Sequence, residues 1–574
     1  MTKLMLLNAE NNGSSLPKIQ RALVLQGGGA LGAYEAGAVR ILCKYLTDKD
    51  KENGEEGRLL FDIVAGTSIG AMNGAILVSQ FLENQSWEKA VEELEKFWND
   101  KEKGLASEIG IEKLLPDMNR WQKDEEWYKK SVTGAASNEA ARRYHSVKYF
   151  MTCGAPKMFS PMPSRPDFKF FDSPNNEWKI FYSNEPLKDT ILNFAKFPIV
   201  TDFHKNHPKP RLLIFSVDVA EGKVVTFDSY PKADGSRKSE YGEYQKNKGY
   251  PHVIKYPGIT IEHVMASGTI PELYDYAKVP MNQTIEQKNQ DATAITYESN
   301  KNEIRNFWDG GIISNTPLRE FLQAHQEYWK YVEKKGKIPD LEVYIINVHP
   351  SKIDVDVIPT DYDGVKGRHN DIKYGDRTSH YDENMAYILT DYTNFVNEMK
   401  NLAADAISKV NDKELKERFQ KILKIKTISK DRNSEARKYE DLIREGFKLT
   451  KVVRIEHTNY INSISGKGAD LTLQTINKLI KEGECDAWIS LIEDNIKYTQ
   501  LPVSVSHIQD NLTNILNKAT DNLKNNDYEH NAKVSDELIK FIDEVNKNEQ
   551  SIDELKQGQS VKLIELVAAF KSIL

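Results

Sequence analysis

The pentapeptide Gly66-Thr67-Ser68-Ile69-Gly70 sets a serine between two glycines, with the apolar run "LLFDIVA" before it and "AMNGAILVSQFL" after it. G-x-S-x-G at a strand-to-helix junction is the pattern of a nucleophile elbow, a tight turn that lifts the hydroxyl out at the strand end. A helix beginning there aims its positive end at the serine and favours negative charge. A serine nucleophile also needs a base, and donors for the oxyanion it creates. Donors are on offer in "ALVLQGGGALGAYEAG", where Gly27, Gly28 and Gly29 separate a short apolar strand from a helix. Without side chains in the way, their N–H groups can close on something negative. A second reading is open, because Gly27, Gly29 and Gly32 also satisfy G-x-G-x-x-G, the dinucleotide fingerprint. That fingerprint asks for an acidic residue roughly 20 residues on, at the end of the next strand. The region here is the polar loop "TDKDKENGEEG".

The base must come from elsewhere. "FWDGGIISNTP" presents Asp309 at the end of an apolar strand and before two glycines. The blander reading is a turn aspartate, common in D-G turns. Among rival histidines, His263 in "IEHVMASG" and His349 in "NVHP" sit near strand ends without a recognisable catalytic setting, and His204 and His207 lie in a polar loop.

These residues need elements to carry them. "ALVLQ" and "LLFDIVAG" read as buried strands. The helix after the first shows apolar residues at Leu31, Tyr34, Ala38, Leu42 and Tyr45. Strand-helix-strand-helix at this pace predicts an α/β fold with a parallel sheet covered by helices. "RLLIFSVDVAEGKVVTF" predicts two strands joined at Glu221-Gly222, and "LEVYIINVHP" a further buried strand. Beyond about residue 365 the spacing turns helical, with a stripe from Met385 through Ile388, Tyr392, Phe395, Met399 and Leu402. "KVVRIEH" then reads as a strand again and "LTLQTINKLIKEG" as a helix. The expected organisation is a catalytic domain over 1–365, a helical insertion over 366–448, a returning strand and helix over 449–500, and a C-terminal helical region over 501–574.

"GGGALG", "GTSIG" and "DGG", in that order, resemble the patatin-like phospholipase family. The resemblance implies a three-layer α/β/α patatin-like sheet of the lysophospholipase kind. It also implies a Ser-Asp dyad acting on acyl esters of lipids through an acyl-enzyme. Carried over by motif, Ser68 resembles the nucleophile and Asp309 the base, and Gly27, Gly28 and Gly29 look like the oxyanion loop. "MASGTIP", with Ser267 and Pro271, is similar to an A-S-x-A-x-P segment that packs near the site in the family. One departure stands in the glycine loop: Ala30 and Leu31 occupy positions where many members carry Arg or Lys. The resemblance implies no metal or other cofactor.

Composition narrows the alternatives. The 574 residues carry a formal net charge of -7, which argues against nucleic acid as the main partner. The three cysteines, Cys43, Cys153 and Cys485, lie far apart, which argues against a disulfide framework and suits a reducing compartment. The opening "MTKLMLLNAENNGSS" has too short an apolar run for a signal peptide, and no apolar run is long enough for a membrane span. The expectation is a cytoplasmic acyl-ester hydrolase that visits a membrane surface, its oligomeric state open. Two alternatives remain: a nucleotide-binding oxidoreductase using the glycine loop, and a catalytically silent scaffold acting through its helical regions.

Overall fold

A computed structural model describes residues 18–107, 138–161, 182–203, 209–232, 235–241, 254–288, 294–333, 338–353, 358–376, 379–410, 413–430, 436–440, 447–457 and 463–498. The expected C-terminal helical region, 501–574, lies outside the described residues, as do His204 and His207.

The first half alternates as its apolar pattern predicts. Strand β1 (Ile19–Leu25) leads through the glycine loop to helix α1 (Gly32–Glu52), and β2 (Ile63–Thr67) leads through Ser68 to α2 (Ile69–Asn84), followed by α3 (Trp87–Asn99). Helices α4 (Asn138–Cys153) and α5 (Glu185–Phe194) precede the hairpin of β3 (Arg211–Asp218) and β4 (Lys223–Asp228). A short helix, α6 (Ile261–Ser267), is followed by a long antiparallel pair, β5 (Ala277–Lys288) and β6 (Ala294–Asp309). Helix α7 (Leu318–Glu327) and strand β7 (Asp340–Asn347) come next, then helices α8 (Tyr362–Tyr374), α9 (Ser379–Val410) and α10 (Lys413–Leu423). The chain returns to the sheet as β8 (Leu449–Glu456) and ends its described part in α11 (Leu473–Tyr498).

Strands β8, β7, β1, β2 and β3 lie side by side and parallel, and β6 and β5 continue the sheet antiparallel. The sheet is therefore mixed, not purely parallel. The β5–β6 pair is not legible because its many polar residues leave no apolar alternation in the sequence. A small antiparallel pair, Lys426–Lys430 with Ala436–Lys438, also interrupts a stretch whose spacing predicts helix throughout.

Each face of the sheet has its own core. One gathers Leu23, Leu25, Val64, Ile76, Leu42 and Trp488 from the sheet and the helices α1, α2, α3 and α11. The other gathers Val24, Ala65, Phe215, Val343, Leu318 and Phe321, with Ala386 and Tyr387 of α9 against it. Three layers result because strands buried on both faces need a cover on each. Among the described residues no helix is long and apolar enough to cross a membrane.

The register at β3 does the positioning. Its residues Leu213–Asp218 pair with β4 along one edge, so every other partner must use the opposite edge. On that edge β2 pairs in parallel, ending with Thr67 beside Phe215, and β6 arrives antiparallel, ending with Asp309 beside Ser216. Two strands thus meet end to end along one edge, one register step apart. β3 itself is anchored at Arg211, whose guanidinium bonds both oxygens of Asp228 at 3.0 and 2.6 Å, reaches the Ala324 carbonyl and lies near the rings of Tyr230 and Tyr328. That charge, with Lys232, holds the Asp228 carboxyl down to about 2 against the upward push of burial. Arg211→Met should cost about 3–5 kcal/mol, because it strands a buried carboxylate. Urea unfolding at neutral pH measures it, and a loss under about 1 kcal/mol would show that Lys232 compensates.

Candidate active site

The elbow is built as its sequence demands. β2 stops at Thr67, and Ser68 takes φ 56° and ψ -126°, a left-handed conformation that costs a non-glycine residue about 1–3 kcal/mol. The flanking glycines are needed for close approach: a methyl on Gly66 would collide with the Gly70 carbonyl, and one on Gly70 with the Leu25 carbonyl at 2.5 Å. β2, α2 and the end of β1 therefore touch backbone to backbone, and the serine is forced outward.

Where the two strands abut, Ser68 Oγ donates to Asp309 Oδ2 at 2.6 Å. The other carboxylate oxygen accepts from the Gly311 amide at 2.7 Å, which fixes the plane of the group. The Asp309 amide donates to the Thr269 carbonyl at 2.8 Å. Both side chains are nearly buried, with Ser68 8% and Asp309 6% exposed. Burial pushes the Asp309 carboxyl up to about 6, and the bonds from Ser68 and Gly311 only partly oppose it.

Ser267 completes the elbow. Its hydroxyl donates to the Phe215 carbonyl at 2.6 Å and accepts from the Ser68 amide at 2.8 Å. It bridges the gap where β2 has left β3 and β6 has not yet begun, so the "MASGTIP" segment supports the serine from behind. Asn315, not singled out by the sequence, holds the glycine loop. Its Nδ2 donates to the Gly27 carbonyl at 3.0 Å, and its own carbonyl accepts from the Gly27 amide at 3.3 Å.

This last bond separates the three glycines. Gly27 has its amide turned to Asn315 and its Cα against Ser68, whereas among the described residues nothing accepts from the amides of Gly28 and Gly29. Gly29 sits at φ 60°, as the sharp entry into α1 requires. The first amides of α2, at Ile69 and Gly70, also open beside Ser68. Ala30 and Leu31 are buried, so the loop presents backbone alone.

The histidines fall elsewhere. His263 caps its own helix through Thr260 and packs on Phe227 and Tyr256, and burial pushes it down to about 4, so it is neutral and structural. His349 lies against the far side of the glycine loop, where a methyl on Gly28 would stand 3.5 Å from its Nε2. A histidine after a strand in "NVHP" gave no hint of this, because the contact spans more than 300 residues of sequence.

The carboxyl ends of parallel strands, on either side of the strand where the chain order reverses, are where α/β sheets bind ligands. Ser68 and the glycine loop stand there, at the ends of β2 and β1, which marks the class as an α/β protein with a nucleophile elbow. The family model for patatin-like phospholipase matches residues 23–322. The chain belongs to the patatin-like phospholipase family, a family of lipid acyl hydrolases. VipD from Legionella pneumophila, known from a crystal structure, is 13% identical, with 96% of this chain and 84% of that chain covered at a TM-score of 0.25. No curated protein matches.

The raised carboxyl of Asp309 has a consequence for stability. The folded state holds its proton more tightly than the unfolded chain, whose aspartate titrates near 3.9. Between roughly pH 4 and 6 the unfolded state therefore binds fewer protons, and stability falls as pH rises through that window. Asp309→Asn should stabilise the protein by about 2–3 kcal/mol at pH 8 and change it little at pH 4. Thermal unfolding at the two pH values tests this, and equal shifts at both would contradict it.

Proposed function

We propose that the protein is a serine acyl-ester hydrolase of phospholipase A or lysophospholipase type, cleaving fatty acyl esters of lipids with Ser68 as nucleophile and Asp309 as base. The observation that carries the reading is the 2.6 Å bond from Ser68 Oγ to a buried carboxylate at a strained elbow. Asp309 takes the Ser68 proton as Oγ bonds to the ester carbonyl carbon. The carbonyl oxygen becomes an oxyanion facing the amides of Gly28 and Gly29, helped by the start of α2. Gly27 joins this oxyanion loop by shaping it, since its amide is already engaged. The tetrahedral intermediate collapses, the C–O bond to the leaving group breaks, and the leaving alcohol takes the proton from Asp309. Water then attacks the acyl-enzyme with Asp309 again as base, and the fatty acid and free Ser68 result.

Desolvation is what makes a carboxylate adequate here. A base near 6 is a better proton acceptor than one near 3.9 and is still ionised at neutral pH. An apolar rim suits an acyl chain and a lipid surface: Ile312 and Ile313 are exposed directly after the Asp309 turn, and exposed Tyr276 stacks on Trp308. This supports peripheral contact with a membrane. The three free cysteines favour a reducing, cytoplasmic setting.

Ser68→Ala should lower turnover of a p-nitrophenyl acyl ester at least about 10³-fold with an unchanged circular dichroism spectrum. A fluorophosphonate should modify Ser68 in the native protein. Near-normal turnover by the alanine variant would refute the assignment, and NAD(H) binding without labelling would favour the nucleotide reading. The pH profile is a separate check. kcat/KM should rise with pH and reach half its plateau near 6, because the base must be ionised. A midpoint near 4 would mean that Asp309 is solvated in the working enzyme.

A further inference from the structure

Helix α8 lies beyond the motif-bearing residues, yet it touches the glycine loop along two routes. On one, the Tyr374 carbonyl at its C-terminal end accepts from Asn315 Nδ2 at 2.7 Å and from Gln26 Nε2 at 3.4 Å, and Asn315 in turn holds both polar groups of Gly27. On the other, Asp371, fully buried, takes two donors on one oxygen: Lys467 Nζ at 2.6 Å and His349 Nδ1 at 3.0 Å. A carboxylate can only accept, so Nδ1 carries the proton and Nε2 faces Gly28. Lys467 fixes the turn that follows it. The Gly468 backbone presses on Gly29, where no side chain would fit, and a methyl on Gly468 would stand 3.1 Å from the Gly28 carbonyl. The other Asp371 oxygen is buried without a partner, so the group is held for its two bonds despite that cost.

We propose that α8 is part of the catalytic apparatus, with Asp371 as a positioning residue. Through Lys467 and His349 it presses the 467–469 turn and the His349 ring onto Gly28 and Gly29, so that their amides point at the oxyanion. The proposal rests on the hydrolase reading above. Where the family's loops often carry a cation, this one has buried Ala30 and Leu31, so amide direction is all the loop can offer. Its shape is then imposed from outside by α8 and the turn after β8.

The test compares Asp371→Asn and Gly468→Ala with Tyr362→Ala, a control at an 84% exposed position on α8. Wild-type protein is first shown to hydrolyse p-nitrophenyl butyrate and to take a fluorophosphonate on Ser68. If it does neither, the hydrolase reading falls and this inference with it. In active protein, Asp371→Asn and Gly468→Ala should each lower kcat at least about tenfold, with KM within about threefold. The inhibition constant of a trifluoromethyl ketone, which needs the oxyanion site, should rise by the same factor as kcat/KM falls. Tyr362→Ala should match wild type. A purely structural role would lower the unfolding temperature and leave kcat and ketone affinity alone, and that result overturns the proposal, as does a fall in kcat with unchanged ketone affinity. If Asp371→Asn does not fold, Gly468→Ala decides alone, since it moves the loop without touching the buried charges.

Discussion

The constraint on which the rest depends is that β3 has only two edges. One is taken by β4, so β2 and β6 must share the other, and the only arrangement without overlap is end to end. That places the last residues of two distant segments, 241 positions apart in sequence, within one hydrogen bond. Rigidity follows as well. A strand end flanked by its own ladder has little freedom, so the carboxylate is held by sheet hydrogen bonds, not by a mobile loop. The small corrections are local. Ser267 satisfies the Ser68 amide that the departing β2 leaves unpaired, and the Gly310 Cα lies against the Phe215 carbonyl to let the chain turn away.

Electrostatics then separates the candidate base from its neighbours. Buried carboxylates are common here, but most have a cation: Asp50 has Arg21, Asp218 has Arg305, Asp228 has Arg211, Asp376 has Arg454 and Asp470 has Arg143. Asp228, so paired, is held down to about 2 despite its burial, which makes it a poor base. Asp309 is raised by burial and opposed only by a serine hydroxyl and one amide. Glu35, in the first turn of α1, is likewise pushed well above its ordinary range by burial, but it bonds Asn73 and stays within the core. What distinguishes the two is position: one carboxyl lies at a strand end against the Ser68 hydroxyl, the other against Asn73 in the core. On the proposed reading, the stability lost at Asp309 is what gives the carboxylate its basicity, a trade common at functional sites.

Much of this was legible in the sequence because the decisive signals are local. Two glycines around Ser68 announce the elbow, and the structure shows why both are required. Asp309 before Gly310-Gly311 was readable as a strand end. The helices α1 and α2 and the strands β3, β7 and β8 follow from apolar spacing. What escaped are the contacts made by residues with no local signature. Asn315 has no apolar spacing or motif to mark it, yet both its backbone and its side chain grip Gly27. Nothing local in the sequence singles out Asp371 or Lys467, and they are buried together. The β5–β6 pair escaped because polar strands lack the alternation that betrays a half-buried one.

The glycine loop is where these constraints meet. Its motif fits both a phosphate cradle and an oxyanion site, since each asks only for free amides at a helix start. What separates them is the space in front. Gly27 Cα stands against the Ser68 side chain, and Gly29 is covered by the Gly468 backbone, so the loop is closely packed on both sides. A pyrophosphate needs a broad face of backbone along the loop and the following helix, whereas a single oxygen bonded to a carbon held by Ser68 needs only two or three convergent donors. With Ala30 and Leu31 turned into the core, the loop adds no formal charge, and the partial charges at the starts of α1 and α2 are what remain to face a developing anion. On the proposed reading, an oxyanion that exists only in the tetrahedral intermediate and its flanking transition states is met by weak, fixed dipoles of this kind, which bind a neutral ester poorly and favour the charged species it becomes.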